Sequence, residues 1–327
     1  MNTVDINDTI AIDTVTKGID KVDISSHNDN NNTSEVIQET CANCGKEGNS
    51  EDMNMCNKCK SVKYCNAACK KKHRKKHKKE CERRVAELHD KKLFKEPPPP
   101  DECPICMLSM PIKANQTTFK TCCGKRICNG CIYAMDMSMS EGENICAFCR
   151  TPTPSSEEEE IKRGKKLMDK ECGWVFHFMA GRYDQGYGDL TQDHQQANEL
   201  YLKAGELGCA GGYYHLGHSY RIGRGVVERD IGQVKHYWEL AAMGGHVLAR
   251  HLLGEVEGMA GNHQRAMAHF MISARGGCKE SLDSVHTGFM DGVVTKDVYA
   301  STLRAYHERQ KAMKSDARDK AALSRRG

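Results

Sequence analysis

Aromatic residues are scarce: the 327-residue chain has two Trp, seven Phe and 6% aromatics in all. So few rings cannot fill the cores of the two or three compact units that this length predicts, so part of the chain must be unfolded or held by something other than apolar packing. Proline is absent beyond residue 154, and all eight lie at or before that position. No apolar run approaches the roughly 20 residues that a membrane helix needs. The first 32 residues carry Asp5, Asp8, Asp13, Asp20 and Asp23 and lack the apolar core of a secretion signal. Also missing are a phosphate-cradling glycine loop, a nucleophile elbow and a metalloprotease His-Glu pair, which argues against a kinase, a hydrolase or a methyltransferase. With a formal charge of +4, neither sign dominates.

Cysteine, by contrast, is abundant. Of 18 cysteines, fifteen fall between residues 41 and 149, and Cys172, Cys209 and Cys278 stand singly. Such clustering fits a disulfide framework outside the cell or a metal framework inside it, and without a secretion signal the reading is metal, in cytoplasm or nucleus.

Composition divides the chain. Residues 1–38, rich in Asp, Asn, Thr and Ser, predict a disordered N-terminal tail. Pro97, Pro98, Pro99 and Pro100 predict a stiff extended spacer within a linker over 84–101. Pro152, Pro154 and the glutamates 157–160 predict an acidic linker over 152–164. From residue 173 onward come 22 of the 29 glycines, set among Ala, Leu, Tyr and Met at helical spacing.

That glycine-rich region repeats. Tyr183, Gly186, Gly188 and Asp193 recur 37 residues later as Tyr220, Gly223, Gly225 and Asp230. A third unit follows at an offset of 32, with Asn262 opposite Asp230, Gly277 opposite Gly245, and a deletion near Gly258. Ala197, Val234 and Ala266 align, as do Tyr201, Trp238 and Phe270. A fixed period of this length predicts stacked helical hairpins that bury their apolar faces only against neighbours. The segments resemble the Sel-one-like relatives of tetratricopeptide repeats over 165–292, with 293–327 as a capping helix and basic tail. His215, His218, His246 and His251 are read as structural histidines.

In the first cysteine cluster Cys41, Cys44, Cys56, Cys59, Cys65, Cys69, His77 and Cys81 form four pairs, enough for two closed tetrahedral zinc ions. Two-residue gaps fit knuckles; three-residue gaps put Cys65/Cys69 and His77/Cys81 on one helical face. With Tyr64 directly before Cys65, the segment 39–83 resembles a MYND-type finger. That resemblance implies interleaved ligation, Cys41, Cys44, Cys65 and Cys69 holding one ion and Cys56, Cys59, His77 and Cys81 the other. It also implies binding of short proline-containing peptides of partner proteins. The basic run 70–79 admits nucleic-acid contact but reads better as a solvated helix face, with His73 exposed.

The second cluster, Cys103, Cys106, Cys122, Cys123, Cys128, Cys131, Cys146 and Cys149, again has eight candidate ligands. Cys122 and Cys123 are adjacent, so either both bind through a bent backbone or one is a spare thiol. The order of pairs over 102–151 resembles an all-cysteine RING-type finger. This implies one ion on Cys103, Cys106, Cys128 and Cys131 and another on Cys122, Cys123, Cys146 and Cys149. It further implies docking of a ubiquitin-conjugating enzyme, with Ile105 between the first ligands and Arg150 after the last in contact with that partner. Ala147 stands where the family usually has proline.

The expected fold is therefore small zinc-stabilised α+β modules followed by an all-α helical-repeat solenoid, with four zinc ions. The expected function is a protein-interaction adaptor and candidate RING-type ubiquitin ligase. The alternatives are a non-enzymatic scaffold with structural zinc fingers, or a nucleic-acid-associated regulator using the basic helix.

Overall fold

The computed structural model describes residues 38–139, 144–225 and 228–324. The tail expected over 1–38 lies outside them except for Gln38. The described residues divide into two compact units, one ending at Lys95 and one from Glu96 onward.

The first unit opens with two short antiparallel pairs. Strand β1 (Gln38–Thr40) pairs with β2 (Glu47–Asn49), matching Gln38 to Asn49, and β3 (Asn54–Met55) pairs with β4 (Lys63–Tyr64). Helix α1 (Ala67–Leu93) follows, its first turn capped by the Asn66 side chain, which accepts from the Cys69 N–H at 2.9 Å. Only His77, Cys81 and Leu93 of its 27 residues are buried. Without an apolar stripe such a helix has little to hold it against a core. Tyr64 and Met53 are the large residues buried among the cysteines.

The second unit begins with the second cysteine cluster. Strands β5 (Thr117–Lys120) and β6 (Lys125–Cys128) form a hairpin with Thr117 opposite Cys128. Helix α2 (Asn129–Asp136) leaves it directly. Buried Asn129 ties hairpin to helix, accepting from Thr118 Oγ1 at 2.8 Å and donating to the Asn115 carbonyl at 2.7 Å.

Where an acidic linker was expected over 152–164, α3 (Glu157–Met168) begins. Ser156 caps it, and Glu159 folds back to accept from the Ser155 N–H and hydroxyl at 2.8 Å. The four glutamates occupy the first turn, where the helix dipole favours negative charge. Ile161, Gly164 and Leu167 are buried against the repeats, so this acidic segment is structural.

The repeat helices are α4 (Gly173–Gln185), α5 (His194–Glu206), α6 (Ala210–Ile222), α7 (Ile231–Met243), α8 (Val247–Met259), α9 (His263–Arg275) and α10 (Lys279–Met290). The sequence repeat is a repeat of hydrogen bonds. Gly186 and Gly223 end α4 and α6 in the left-handed conformation, and Asp193 and Asp230 then cap α5 and α7 through their carboxylates. The Asp193 and Asp230 N–H groups return to the Tyr183 and Tyr220 carbonyls. The third joint, Ala260–Asn262, has lost that loop, and the Asn262 amide instead donates to Glu257 at 2.7 Å. A Cβ at Gly217 would lie 2.5 Å from the Trp238 ring, and one at Gly254 would lie 2.6 Å from Phe270. Those glycines let two rings of the aligned aromatic column, Trp238 and Phe270, enter the neighbouring helix.

The three scattered cysteines obey the same register. Cys172, Cys209, His246 and Cys278 are the N-cap residues of α4, α6, α8 and α10. Helices α11 (Lys296–Met313) and α12 (Asp316–Leu323) close the described chain. Helix α11 covers α9 and α10, as a cap should, whereas α12 packs on α2 of the second cysteine cluster.

That cluster is held at both ends of the helical array. Arg126 of β6 lies over the Trp174 ring at 3.8 Å, and Phe119 meets Phe178 with ring centres 5.2 Å apart. From the other end, Arg309 Nη2 of α11 donates to the Met110 carbonyl at 3.1 Å.

Candidate metal centres

The first unit gathers two groups, Cys41, Cys44, Cys65 and Cys69, and Cys56, Cys59, His77 and Cys81. The second unit gathers Cys103, Cys106, Cys128 and Cys131, and Cys122, Cys123, Cys146 and Cys149. Within each group the ligand atoms lie within 4.8 Å of one another. The interleaving is the one that the two resemblances imply, and adjacent Cys122 and Cys123 enter the same group. The sharp return of the β5–β6 hairpin allows this, with Gly124 at φ +71° and its N–H on the Lys120 carbonyl at 2.8 Å.

The spacing tests the fit to a metal. Sulfurs tetrahedrally placed about 2.3 Å from zinc stand about 3.8 Å apart, whereas a disulfide needs about 2.0 Å. Observed separations are 3.7 Å for Cys44–Cys65, 3.7 Å for Cys56–Cys81, 3.8 Å for Cys103–Cys131 and for Cys106–Cys128, and 4.0 Å for Cys123–Cys146. His77 Nε2 is 3.3 Å from Cys59 Sγ. All described cysteines are free thiols. The donor sets of sulfur and imidazole suit zinc and leave no position for a reacting water.

Four thiols so close cannot all ionise without a cation, and their proton affinities split accordingly. The Cys65 N–H aimed at Cys41 draws that thiol down to about 6, while the hydrogen bond that Cys65 itself donates to Cys69 pushes Cys65 up to about 12. Against burial, which raises it, the Thr151 hydroxyl and N–H hold Cys149 down to about 6. A dication resolves the conflict by favouring thiolate at every position.

Backbone geometry explains why four of the five pairs with two-residue gaps work, Cys128 and Cys131 lying instead at the start of α2. Gly45, Lys60, Met107 and Arg150, each directly after the second cysteine of its pair, have φ between 55° and 72°. Their N–H groups close tight turns on the Cys41, Cys56, Cys103 and Cys146 carbonyls at 2.9 to 3.0 Å. Outer polar groups then meet the sulfurs: Ser61 Oγ is 3.0 Å from Cys59, Thr151 Oγ1 is 3.3 Å from Cys149, and the Asn43 amide donates to Cys69 at 3.4 Å. Sequence reasoning missed these, although Ser61 and Thr151 share a signal, a hydroxyl two residues after the knuckle.

Ile105 is 40% exposed at the tip of its knuckle, and Arg150 is exposed after the last cysteine. Phe148, 42% exposed, occupies in the knuckle 146–149 the place that Ile105 holds in 103–106. Met107 is 65% exposed. The knuckles thus turn sulfur inward and apolar side chains outward.

Along the basic run, Lys71, Lys72, Arg74, Lys75, Lys76, Lys78 and Lys79 are exposed. Two members are tied into the finger. Lys70 donates to the Met55 carbonyl and to Asn57 Oδ1, and His73, expected to be exposed, is half-buried with Nδ1 3.2 Å from the Tyr64 hydroxyl. The repeat histidines join a ladder of rings. Tyr201 stacks on His215 at 4.8 Å, Tyr214 stacks on His246 at 4.3 Å, and His177, which sequence reasoning passed over, sits against Trp174. Burial holds His177 and His246 down to about 3 and His215 to about 4, so these rings are neutral at pH 7. His246 Nδ1 caps α8, accepting from the Ala249 N–H at 3.1 Å, and His251 bonds Ser281 at 2.9 Å. Among the described residues they form no metal-binding group.

Residues 41–81 match the MYND finger family. Among solved structures, a Sel1 repeat protein from Oxalobacter formigenes aligns at 20% identity and TM-score 0.42, covering 56% of this chain and 70% of that one. A protective antigen of uropathogenic Escherichia coli displaying an SLR fold aligns at 21% identity and TM-score 0.41, covering 47% of this chain and 34% of that one. The chain thus spans about a third of the second relative's length. Comparison with curated proteins gave no match. The chain carries a zinc-binding MYND finger, a second cysteine group pair suited to zinc, and a solenoid of helical repeats. Among the described residues no helix is long and apolar enough to cross a membrane.

Proposed function

We propose that this chain is a protein-interaction adaptor whose second finger docks a ubiquitin-conjugating enzyme in the manner of a RING-type ligase. The observation that carries this reading is the build of that finger. Eight cysteines face two closed centres, while Ile105, Met107 and Phe148 stand exposed on the knuckles with Arg150 beside them in sequence. Closed centres have no water to activate, so the finger acts by docking, not by metal chemistry. In this role Ile105 contacts the conjugating enzyme and Arg150 orients its thioester for attack. The MYND finger and the repeats recruit protein partners, the former through proline-containing peptides. All sixteen residues of the four groups serve as zinc ligands.

Incubation with activating enzyme, a panel of conjugating enzymes and ubiquitin tests the reading. Conjugates are expected with at least one conjugating enzyme and are expected to fall at least tenfold with Ile105→Ala and with Arg150→Ala. If no conjugates form with any conjugating enzyme, the chain is a non-enzymatic scaffold. The exposed lysines of α1 favour a second reading, salt-dependent contact with a polyanion such as nucleic acid. Charge reversal at Lys75 and Lys76 would then abolish binding measured at low salt, and absence of binding at low salt would dispose of it.

A further inference from the structure

The four metal groups differ in what lies outside the sulfurs. A dication on four thiolates leaves two surplus negative charges, which outer donors must share. The outer polar groups on Cys59, Cys69 and Cys149 are neutral, a serine, an asparagine amide and a threonine. The group Cys103, Cys106, Cys128 and Cys131 instead meets a cation. Arg318 Nη2, from α12, lies 3.4 Å from Cys106 Sγ, across 212 residues of sequence.

The guanidinium is fixed in that place. Its Nη1 donates to the Ser109 carbonyl at 2.7 Å and to the Met313 carbonyl at 2.7 Å, and its Nη2 donates to the Leu108 carbonyl at 3.3 Å. The planar fork therefore spans the loop that follows Cys106, a geometry that a lysine cannot reproduce. The backbone of Arg318 is also seated on the finger. A Cβ at Gly130 would come within 2.7 Å of the Arg318 nitrogen and 2.9 Å of its Cα. Gly130 lies between Cys128 and Cys131, so α12 rests on the segment that supplies half of this group. Ser315 caps α12, and Ala321, one turn after Arg318 on the same face, is buried at 4% exposure.

We propose that Arg318 is an outer positioning residue of the zinc centre formed by Cys103, Cys106, Cys128 and Cys131. Helix α12 is then part of that centre, and loss of this ion and undocking of the helix are one event. The inference rests on zinc occupying this group.

Zinc per chain and release to a chromogenic chelator are measured on the full-length protein, together with cadmium-113 NMR of cadmium-loaded protein. Four ions in the unmutated chain and four cadmium signals test the underlying occupancy; fewer would sink that reading whatever Arg318 does. Arg318→Ala is expected to release one ion of the four roughly 10–100-fold faster, as loss of an outer-shell partner does elsewhere. It should also shift a single cadmium signal, the one coupled to Cys106 protons, with Arg318→Lys intermediate. Ala321→Asp, which lifts the helix and leaves the arginine, should speed release of the same ion. Unchanged release in both Arg318→Ala and Ala321→Asp, or a shifted signal belonging to the Cys122 group, overturns the proposal.

Discussion

The two fingers offer the same number of candidate ligands but lean on different supports. The first, over 41–81, is built on the N-terminal half of a helix that buries almost nothing, and its outer donors, Asn43 and Ser61, lie within its own segment. The second is clasped by Trp174 and Phe178 from one end of the helical array and by Arg309 and Arg318 from the other. The difference teaches that ligand count does not set autonomy. The first finger is a compact unit around its metals, whereas the second shares its stability with the repeats.

Removing one ligand from each finger is the strongest way to break this comparison. Cys128→Ser should lower the thermal transition of the repeats by roughly 2–4 °C for each kcal/mol of bracing lost, because the surface that Arg318 and α12 grip is disordered with the centre. Cys81→Ser should abolish the fold of 41–81, whose stability is largely metal binding, and leave that transition within about 1 °C. Scanning calorimetry of the two variants decides it, and equal shifts would erase the distinction.

Acid acts on the repeats through a different group of residues. The burial of His177, His215 and His246 puts their folded-state values at about 3 to 4, below the ordinary value near 6.5. Between those limits the unfolded chain binds more protons, so the contribution of neutral burial is fully present above about pH 6.5 and is lost as pH falls toward 4. Denaturant midpoints of the repeats, measured with excess chelator at pH 7 and pH 5 to remove the effect of zinc loss, should be lower at pH 5. Replacing His215 by Asn should flatten that dependence.

The smallest effect compares the knuckles. Lys60 in the first finger and Arg150 in the second both sit at φ near +60°, which costs a residue with a Cβ about 1–2 kcal/mol. Lys60→Gly and Arg150→Gly should each raise resistance to unfolding by up to about 1 kcal/mol. Arg150→Gly would at the same time reduce ubiquitin transfer if Arg150 orients the thioester. Chemical denaturation with zinc present reads the stability gain.

The ligand groups were legible in the sequence because local spacing encodes them. Pairs separated by two or three residues leave little freedom, and the structure gathers the sixteen named residues as the two family resemblances imply. The adjacency of Cys122 and Cys123 leaves an alternative open in sequence, and the hairpin return at Gly124 is what brings both sulfurs into one group. The repeat was legible in Gly186, Gly223, Asp193 and Asp230, whose backbone roles demand those residue types. Its cysteine register at 172, 209 and 278 was equally available but looked like scatter, because His246 interrupts it. The helix at Glu157–Met168 was mistaken for a linker because a glutamate run suggests solvent; the Ser155-Ser156 and Glu159 capping pattern was the better guide. Nothing local could announce Arg318, since its partner sulfur is distant in sequence and is found by the path of the solenoid.

The clasp around the second finger also orders events during synthesis. At about 5–20 residues per second, a ribosome needs roughly 10–30 s after making Cys149 before it makes Arg318. Through that interval the nascent chain displays its second set of eight cysteines without the helix that seats on Gly130 and the guanidinium that meets Cys106. Completion of this metal centre therefore reports that the helical array has been translated and folded around it.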